Sequence, residues 1–344
     1  MPARVSIIIV TWNGLELLKR CLPSVVATDY PNLEIIISDN NSSDGSSEWV
    51  TESFPDIKVL RHPQNYAFCR GNNEGIKVAT GDIVVLLNND VEVPPDWLNP
   101  IVESFEADLS IGAIQPKLLQ MENRDHFEYS GGAGGHLDRF GYPFTRGRVF
   151  FTMEMDNGQY DETQDIFWAS GAALALRRTA IDTVGLLDEN FVLHMEEIDL
   201  CWRLQRAGYR IQCNTASVVY HIGGASLPPS DPQKAYYNFR NSLMLLYKNL
   251  PTAAWPQVFV ARLLLDSLAC VRALVVFRPR EAWAIIRAYA DGHRMKSLYQ
   301  DERPRDGDQE VLPDYRRSIV IDYFLRRRRL FSDLPSEAFT IFEP

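Results

Sequence analysis

Four runs in the first ninety residues, Val5–Val10, Leu33–Ser38, Ile57–Leu60 and Ile83–Leu87, are largely apolar and do not alternate with polar residues. A strand with one wet face alternates. A run without alternation needs cover on both faces, the condition of a parallel strand inside an α/β sheet. Between these runs, Leu15–Val26, Ser46–Phe54 and Arg70–Ala79 carry apolar residues at helical spacing. Strands alternating with helices predict a doubly wound, mostly parallel sheet flanked by helices. Ligands on such sheets sit beyond the carboxyl ends of the strands, so the residues after each run are the first candidates for chemistry.

The chain has 344 residues, 46% hydrophobic and 23% charged, which excludes disordered and fibrous classes and allows two domains. Its five cysteines are scattered without a CxxC pair, so a reducing compartment is expected and a disulfide framework or cysteine zinc site is not. Met-Pro-Ala-Arg leads straight into the first strand with no signal-like segment, and the expectation is a cytoplasmic chain. The net charge is −10, yet residues 255–344 hold 15 Lys+Arg against 13 Asp+Glu. The acidic body argues against nucleic acid as a partner.

Residues 121–167 break the pattern with Ser130-Gly131-Gly132-Ala133-Gly134-Gly135 and Phe140-Gly141-Tyr142-Pro143, and read as a long functional loop or small insertion. Order returns with a strand from Ile166 to Leu176, a helix beginning near Glu196, and strands at Arg210–Cys213 and Ser217–His221. Helical patterns fill most of 233–298, punctuated by Pro251, Pro256 and Pro279.

Thr11-Trp12-Asn13-Gly14 follows the first strand with one glycine where a dinucleotide fold wants three, against NAD or FAD. It otherwise reads as a turn with an Asn cap. After the second strand, Asp39 is placed to accept from a nucleobase or ribose, while Asp44 reads as a helix cap. Asn88-Asn89-Asp90 ends the fourth strand, as a carboxylate for a hard cation shared with phosphate or as an ordinary turn. In His194-Met195-Glu196-Glu197-Ile198-Asp199, three carboxylates crowd a helix start. Asp199 can pair with Arg203 one turn on, which leaves Glu196 and Glu197 to face a cleft or to form surface ion pairs. His221 ends a strand before Gly223-Gly224, as a structural histidine or a ligand.

In this order the pieces resemble the family 2 glycosyltransferases of the GT-A fold. Val5 through Asn13 resembles the opening strand and nucleotide loop, and Asp39 through Gly45 the base-binding segment. Asn65 through Gly75 with Ala79-Thr80-Gly81-Asp82 is similar to the helix before the metal strand. Asn88-Asn89-Asp90 stands at the DxD motif. Ser170-Gly171-Ala172, Gly185-Leu186-Leu187-Asp188-Glu189 and Glu196 through Asp199 match the acceptor-side block. Asn88 replaces the first acidic residue of DxD, and Glu196-Glu197 stands for the usual Glu-Asp. The Asn-x-Asp form resembles the bacterial rhamnosyltransferase-like branch that builds surface polysaccharide.

The resemblance implies a GT-A catalytic domain at 1–250, with a nucleotide-binding half (1–120) and an acceptor half (121–250), and a helical region at 251–344. It implies an inverting transfer from a nucleotide-diphosphate sugar to a saccharide or lipid-linked acceptor. Asp90 and His221 would hold Mg²⁺ or Mn²⁺, Glu197 (or Glu196) would be the base, and Thr11, Asn13, Asp39, Arg70 and Asn89 would hold the nucleotide. Asp138, Arg146, Arg148, Trp168 and Gly171 are candidates at the acceptor or donor sugar. The alternatives are an inactive nucleotide-sugar or carbohydrate-binding protein and, with less support, a sugar nucleotidyltransferase, which would want a basic loop after the first strand.

Residues 257–277 are long and apolar, but Arg262, Asp266 and Arg272 oppose a membrane span. The three fall on one side of a helix and leave a wide apolar face. That face is expected to pack on the body, meet a second copy as a homodimer, or touch a membrane, where Arg326–Arg329 would favour anionic lipid.

Overall fold

The computed structural model describes residues 2–223, 231–304 and 309–340; Gly224 lies outside them. The amino-terminal part alternates as its apolar pattern predicts: β1 (Val5–Thr11), α1 (Leu15–Val26), β2 (Leu33–Asp39), α2 (Ser46–Ser53), β3 (Lys58–Arg61), α3 (Ala67–Val78) and β4 (Ile83–Leu87). There follow β5 (Val91–Glu92), α4 (Asn99–Ala107), β6 (Ile111–Gln120), β7 (Gly135–Leu137), β8 (Pro143–Thr145), β9 (Arg148–Val149), β10 (Thr152–Met153), β11 (Gln164–Asp165) and β12 (Ala173–Arg177). The chain continues through α5 (Arg178–Val184), α6 (Glu196–Arg206), β13 (Arg210–His221), α7 (Pro232–Asn249), α8 (Trp255–Val275), α9 (Pro279–Met295) and α10 (Ile319–Phe324).

The main sheet runs β11-β13-β6-β12-β4-β1-β2-β3, with β5 paired to β13. β1 lies parallel between β2 and β4, with Ile8 opposite Ile36 and Leu86, while β12 joins β4 antiparallel. Alternate residues of β1 enter two apolar layers. Ile8 packs with α3, α6 and α7, and Ile7 and Ile9 pack with α1 and α4. Both faces are covered, which is why these strands carry no polar alternation.

Three expectations shift. The strand foreseen from Ile166 begins only at Ala173, and the two runs at Arg210–Cys213 and Ser217–His221 are one strand with a register break between Asn214 and Val218. Strand β6 was not foreseen, because Gln115, Pro116 and Lys117 interrupt its apolar run. The fold satisfies these residues: Lys117 Nζ reaches Asp156 at 2.8 Å, Gln115 Oε1 accepts from the Ser170 amide at 2.8 Å, and Pro116 sits opposite Asn214 at the register break.

The glycine-rich stretch is not an open loop. Strands β7–β10 form a small antiparallel sheet, and residues 314–339 pack on it through Tyr315, Ile319, Tyr323 and Leu334. Its glycines allow close approach: a Cβ on Gly135 would stand 2.2 Å from the Trp168 ring, whose Nε1 is held by the His136 carbonyl at 2.9 Å. Gly135→Ala is expected to lower stability by about 1–3 kcal/mol, the cost of overpacking, measured by urea unfolding.

The carboxyl-terminal helices join the same core. Leu243, Leu246, Trp255 and Tyr299 pack in the layer that holds Ile8 and Trp202. Among the described residues no helix is long and apolar enough to cross a membrane.

Candidate active site

A cleft of about 680 Å³ opens beyond the carboxyl ends of β1, β4 and β13. Thr11, Asn13, Asn89, Asp90, Gly171, Glu196, Glu197 and His221 line it together, although they come from separated segments. Sheet topology does this, since parallel strands deliver their following loops to one edge.

The loops after β1 and β2 are laced to each other. Asn13, at φ +48°, accepts from the Ser43 amide at 2.8 Å and donates its own amide to Ser42 Oγ at 2.8 Å. Asn89 Nδ2 donates to Thr11 Oγ1 at 3.1 Å, and a Cβ on Gly14 would collide with both side chains, so the lone glycine of this turn is required. Asp44 accepts from Leu15 N at 2.9 Å and Ser46 N at 3.1 Å, and so holds the first turns of α1 and α2 at once.

Asp90 and His221 are both 4% exposed, with His221 Nε2 3.0 Å from Asp90 Oδ1 and Nδ1 3.4 Å from Glu128 Oε2. Burial alone would lower the imidazole pKa, but its contacts to the two carboxylates prevail and raise it to about 10. A carboxylate and an imidazole that converge, with a second carboxylate behind the far ring nitrogen, suit a divalent cation and its outer shell. Among the described residues no three acidic, His or Cys side chains form a complete metal cage, so an ion here would need substrate oxygens to fill its shell. The residues fit that arrangement, with a bound cation displacing the proton that His221 Nε2 shares with Asp90. Glu128 was missed because nothing in its irregular neighbourhood marks it.

Glu196 and Glu197 begin α6 and line the same cleft. Each has an Oε2 shut off from solvent without a hydrogen-bond partner. Desolvation, then the charge of Glu197, pushes Glu196 well above the ordinary carboxylate range, and desolvation raises Glu197 to about 7. The loop that presents them is strained, with Val192, His194 and Met195 at φ +67°, +71° and +74°. Asn241 on α7, fully buried, clamps it by donating to the carbonyls of Phe191, Leu193 and His194 at 2.7–2.9 Å.

Several expected site residues are used elsewhere. Asp39 is 2% exposed and accepts from Ser42 N at 2.9 Å and from Ser47 Oγ, so it fixes its own loop and does not line the cleft. Arg70 lies 3.8 Å over the Tyr66 ring, away from the cleft lining. Asp138, fully buried, accepts the amides of Phe140, Tyr142 and Ile319 at 2.9 Å and ties α10 to the small sheet. Arg146 donates to the carbonyls of Ala133 and Glu162, Arg148 stacks 3.1 Å over Tyr129, and Trp168 is a core residue. Among the described residues of the lining, Lys234 is the only Lys or Arg. It was passed over as part of an ordinary helix.

The family model for glycosyl transferase family 2 matches residues 6–183, more than half of the chain. The chain belongs to glycosyltransferase family 2. It is 29% identical over 248 residues to the O-antigen biosynthesis protein RfbC of Myxococcus xanthus, covering 69% of this chain and 19% of that protein. It is 25% identical over 231 residues to an N-acetylglucosaminyl-diphospho-decaprenol L-rhamnosyltransferase of Mycobacterium tuberculosis, covering 62% and 75%. The match to RfbC thus spans about a fifth of that relative's length. Among solved structures, GalNAc-T7 with UDP, GalNAc and Mn²⁺ superposes with a TM-score of 0.58 at 19% identity, over 72% of this chain and 48% of that one. That likeness establishes the GT-A fold of this family 2 chain.

Proposed function

We propose that this family 2 chain transfers a sugar from a nucleoside-diphosphate donor to a saccharide or lipid-linked acceptor in surface-glycan assembly, with inversion at the anomeric carbon. The observation that carries this reading is the meeting, in one cleft, of Glu196 and Glu197, each with one buried carboxylate oxygen that lacks a partner, and the Asp90–His221 pair. The rhamnosyltransferase relative is named for a lipid-diphosphate acceptor, and the GalNAc-T7 complex holds a nucleotide beside Mn²⁺; both support it.

In this mechanism the acceptor hydroxyl attacks the anomeric carbon, its proton passes to Glu197, and the bond to the diphosphate oxygen breaks. One displacement inverts the centre. Thr11, Asn13 and Asn89 hold the nucleoside, with Asp39 fixing the loop beneath it. Trp12, 57% exposed at the rim, offers a ring face to the base. Lys234 takes the place assigned to Arg70 at the diphosphate. Asp90 and His221 would hold Mg²⁺ or Mn²⁺, which when bound spreads the negative charge of the leaving group. Gly171, whose absent side chain leaves room beside Glu197, borders the acceptor.

The test is nucleoside-diphosphate release from UDP-, dTDP- and GDP-sugars with either cation and a pool of saccharide and lipid-linked acceptors. Release from one donor is expected. Metal-dependent nucleotide binding without turnover for any acceptor would favour an inactive binding protein instead. Asp90→Ala should abolish metal-dependent nucleotide binding, and Glu128→Gln should weaken Mn²⁺ affinity roughly 10–100-fold by loosening His221, both read by calorimetry.

A further inference from the structure

Helix α8 is turned inside out. Arg262 and Asp266, each 1% exposed, face the body and pair at 3.0 Å, with the Tyr289 hydroxyl donating to Asp266 at 2.7 Å and Arg262 donating to the Phe140 carbonyl at 3.2 Å. On the other side Val260, Leu264, Leu268, Val271 and Val275 recur every three or four residues, and each is more than half exposed. A helix on a globular body normally buries such a stripe and leaves its charges in water.

The stripe leads to the turn between α8 and α9. There Phe277 is 91% exposed and sits at φ +56°, a backbone region costly for a bulky residue. Arg272, Arg278 and Arg280 surround the turn, where Glu281, 3.6 Å from Arg278, is the one acid in residues 267–281. Arg272 lies 5.5 Å over the ring of Phe151, itself 71% exposed and 6.4 Å from the Phe324 ring, so the apolar surface continues onto the small sheet. An exposed apolar stripe with an aromatic tip and a margin of three arginines against one acid has the chemistry of a helix lying in a bilayer interface.

We propose that the α8–α9 hairpin docks on an anionic lipid surface, with Phe277 and the α8 stripe in the headgroup–acyl boundary and Arg272, Arg278 and Arg280 on lipid phosphates. A second copy of the chain is the competing occupant. A self-complementary face would set these three arginines against acids, and residues 267–281 offer only Glu281, already beside Arg278. The inference rests on the transferase reading only in that a lipid-linked acceptor would be met at this surface.

The test is flotation of the full chain with phosphatidylcholine vesicles, with and without phosphatidylglycerol. Binding is expected only with the anionic lipid and should fade at high salt. Arg278→Gln and Arg280→Gln should each cost about fivefold in partitioning, and Leu268→Glu or Phe277→Glu should abolish it. Absence of flotation, or equal binding to both vesicle types, would overturn the proposal. So would a dimer in sedimentation that Leu268→Glu dissolves without any vesicle binding. Phe277→Glu lies outside the cleft and should leave donor turnover on a saccharide acceptor unchanged, so loss of docking and loss of transfer are read separately.

Discussion

Glu197→Gln is expected to cut turnover by about 10²–10⁴-fold, the usual contribution of a positioned base, while donor affinity stays nearly intact. The amide keeps the shape of the side chain and removes its ability to take a proton. In the native protein the base must be ionised, so activity should rise with pH through about 7, where burial has placed this carboxyl. The same substitution should make the protein more stable. The folded pKa lies above the ordinary 4.5, so the folded state keeps a proton that the unfolded chain releases. Stability is therefore full below about 4.5 and is lost as pH rises through 7. Gln carries no such loss, and its gain at pH 8 should reach up to about 3 kcal/mol, vanishing near pH 4. Steady-state kinetics and urea unfolding at two pH values check both arms. A variant that is active, or no more stable at pH 8, would remove Glu197 from this role.

Asp199→Ala should be the most destabilising single change near the site, by about 3–5 kcal/mol. Asp199 is completely buried. It accepts from Arg203 Nε at 2.8 Å and Lys248 Nζ at 3.0 Å through one oxygen, and from Asn249 Nδ2 at 2.8 Å through the other. Lys248 would keep Asp188 at 2.8 Å but lose its innermost partner, and Arg203 would keep only carbonyls. Burial alone would raise the Asp199 carboxyl, but the two cations prevail and hold it below its ordinary 3.8. Its contribution is therefore present above that pH and lost as pH falls below it, so the gap between native and variant should close in acid. Urea midpoints at neutral and acid pH measure this, and equal midpoints at pH 7 would refute it.

Much of the nucleotide half was legible because its strands are covered on both faces, which leaves unbroken apolar runs such as Val5–Val10 bounded by polar turns. Asp199 was legible as a partner of Arg203, one helical turn away, whereas Asp44, expected as a cap, stands one residue before the cap position of α2 and also holds Leu15 N from 29 residues away. Strand β6 was not, because Lys117 and Gln115 are buried by partners about forty and fifty-five residues away, which no local pattern reports. The glycine-rich stretch misled for a related reason. Its glycines mark close packing against Trp168 and the carboxyl-terminal segment, and Asp138, Arg146 and Trp168 serve that packing.

The sequence by itself determined the doubly wound order and the identity of the chemical groups, because periodicity and strand-end residues are local properties. Only the tertiary structure decided which of those groups share a cleft. It brought Glu128 behind His221, lined the cleft with Lys234 and not with Arg70, and used Asn241 to hold the strained loop before Glu196. It also decided which way α8 faces. The helical spacing of Arg262 and Asp266 says that they share a side, but whether that side meets water depends on Tyr142, Tyr289 and Ser242, which supply their buried partners from distant parts of the chain.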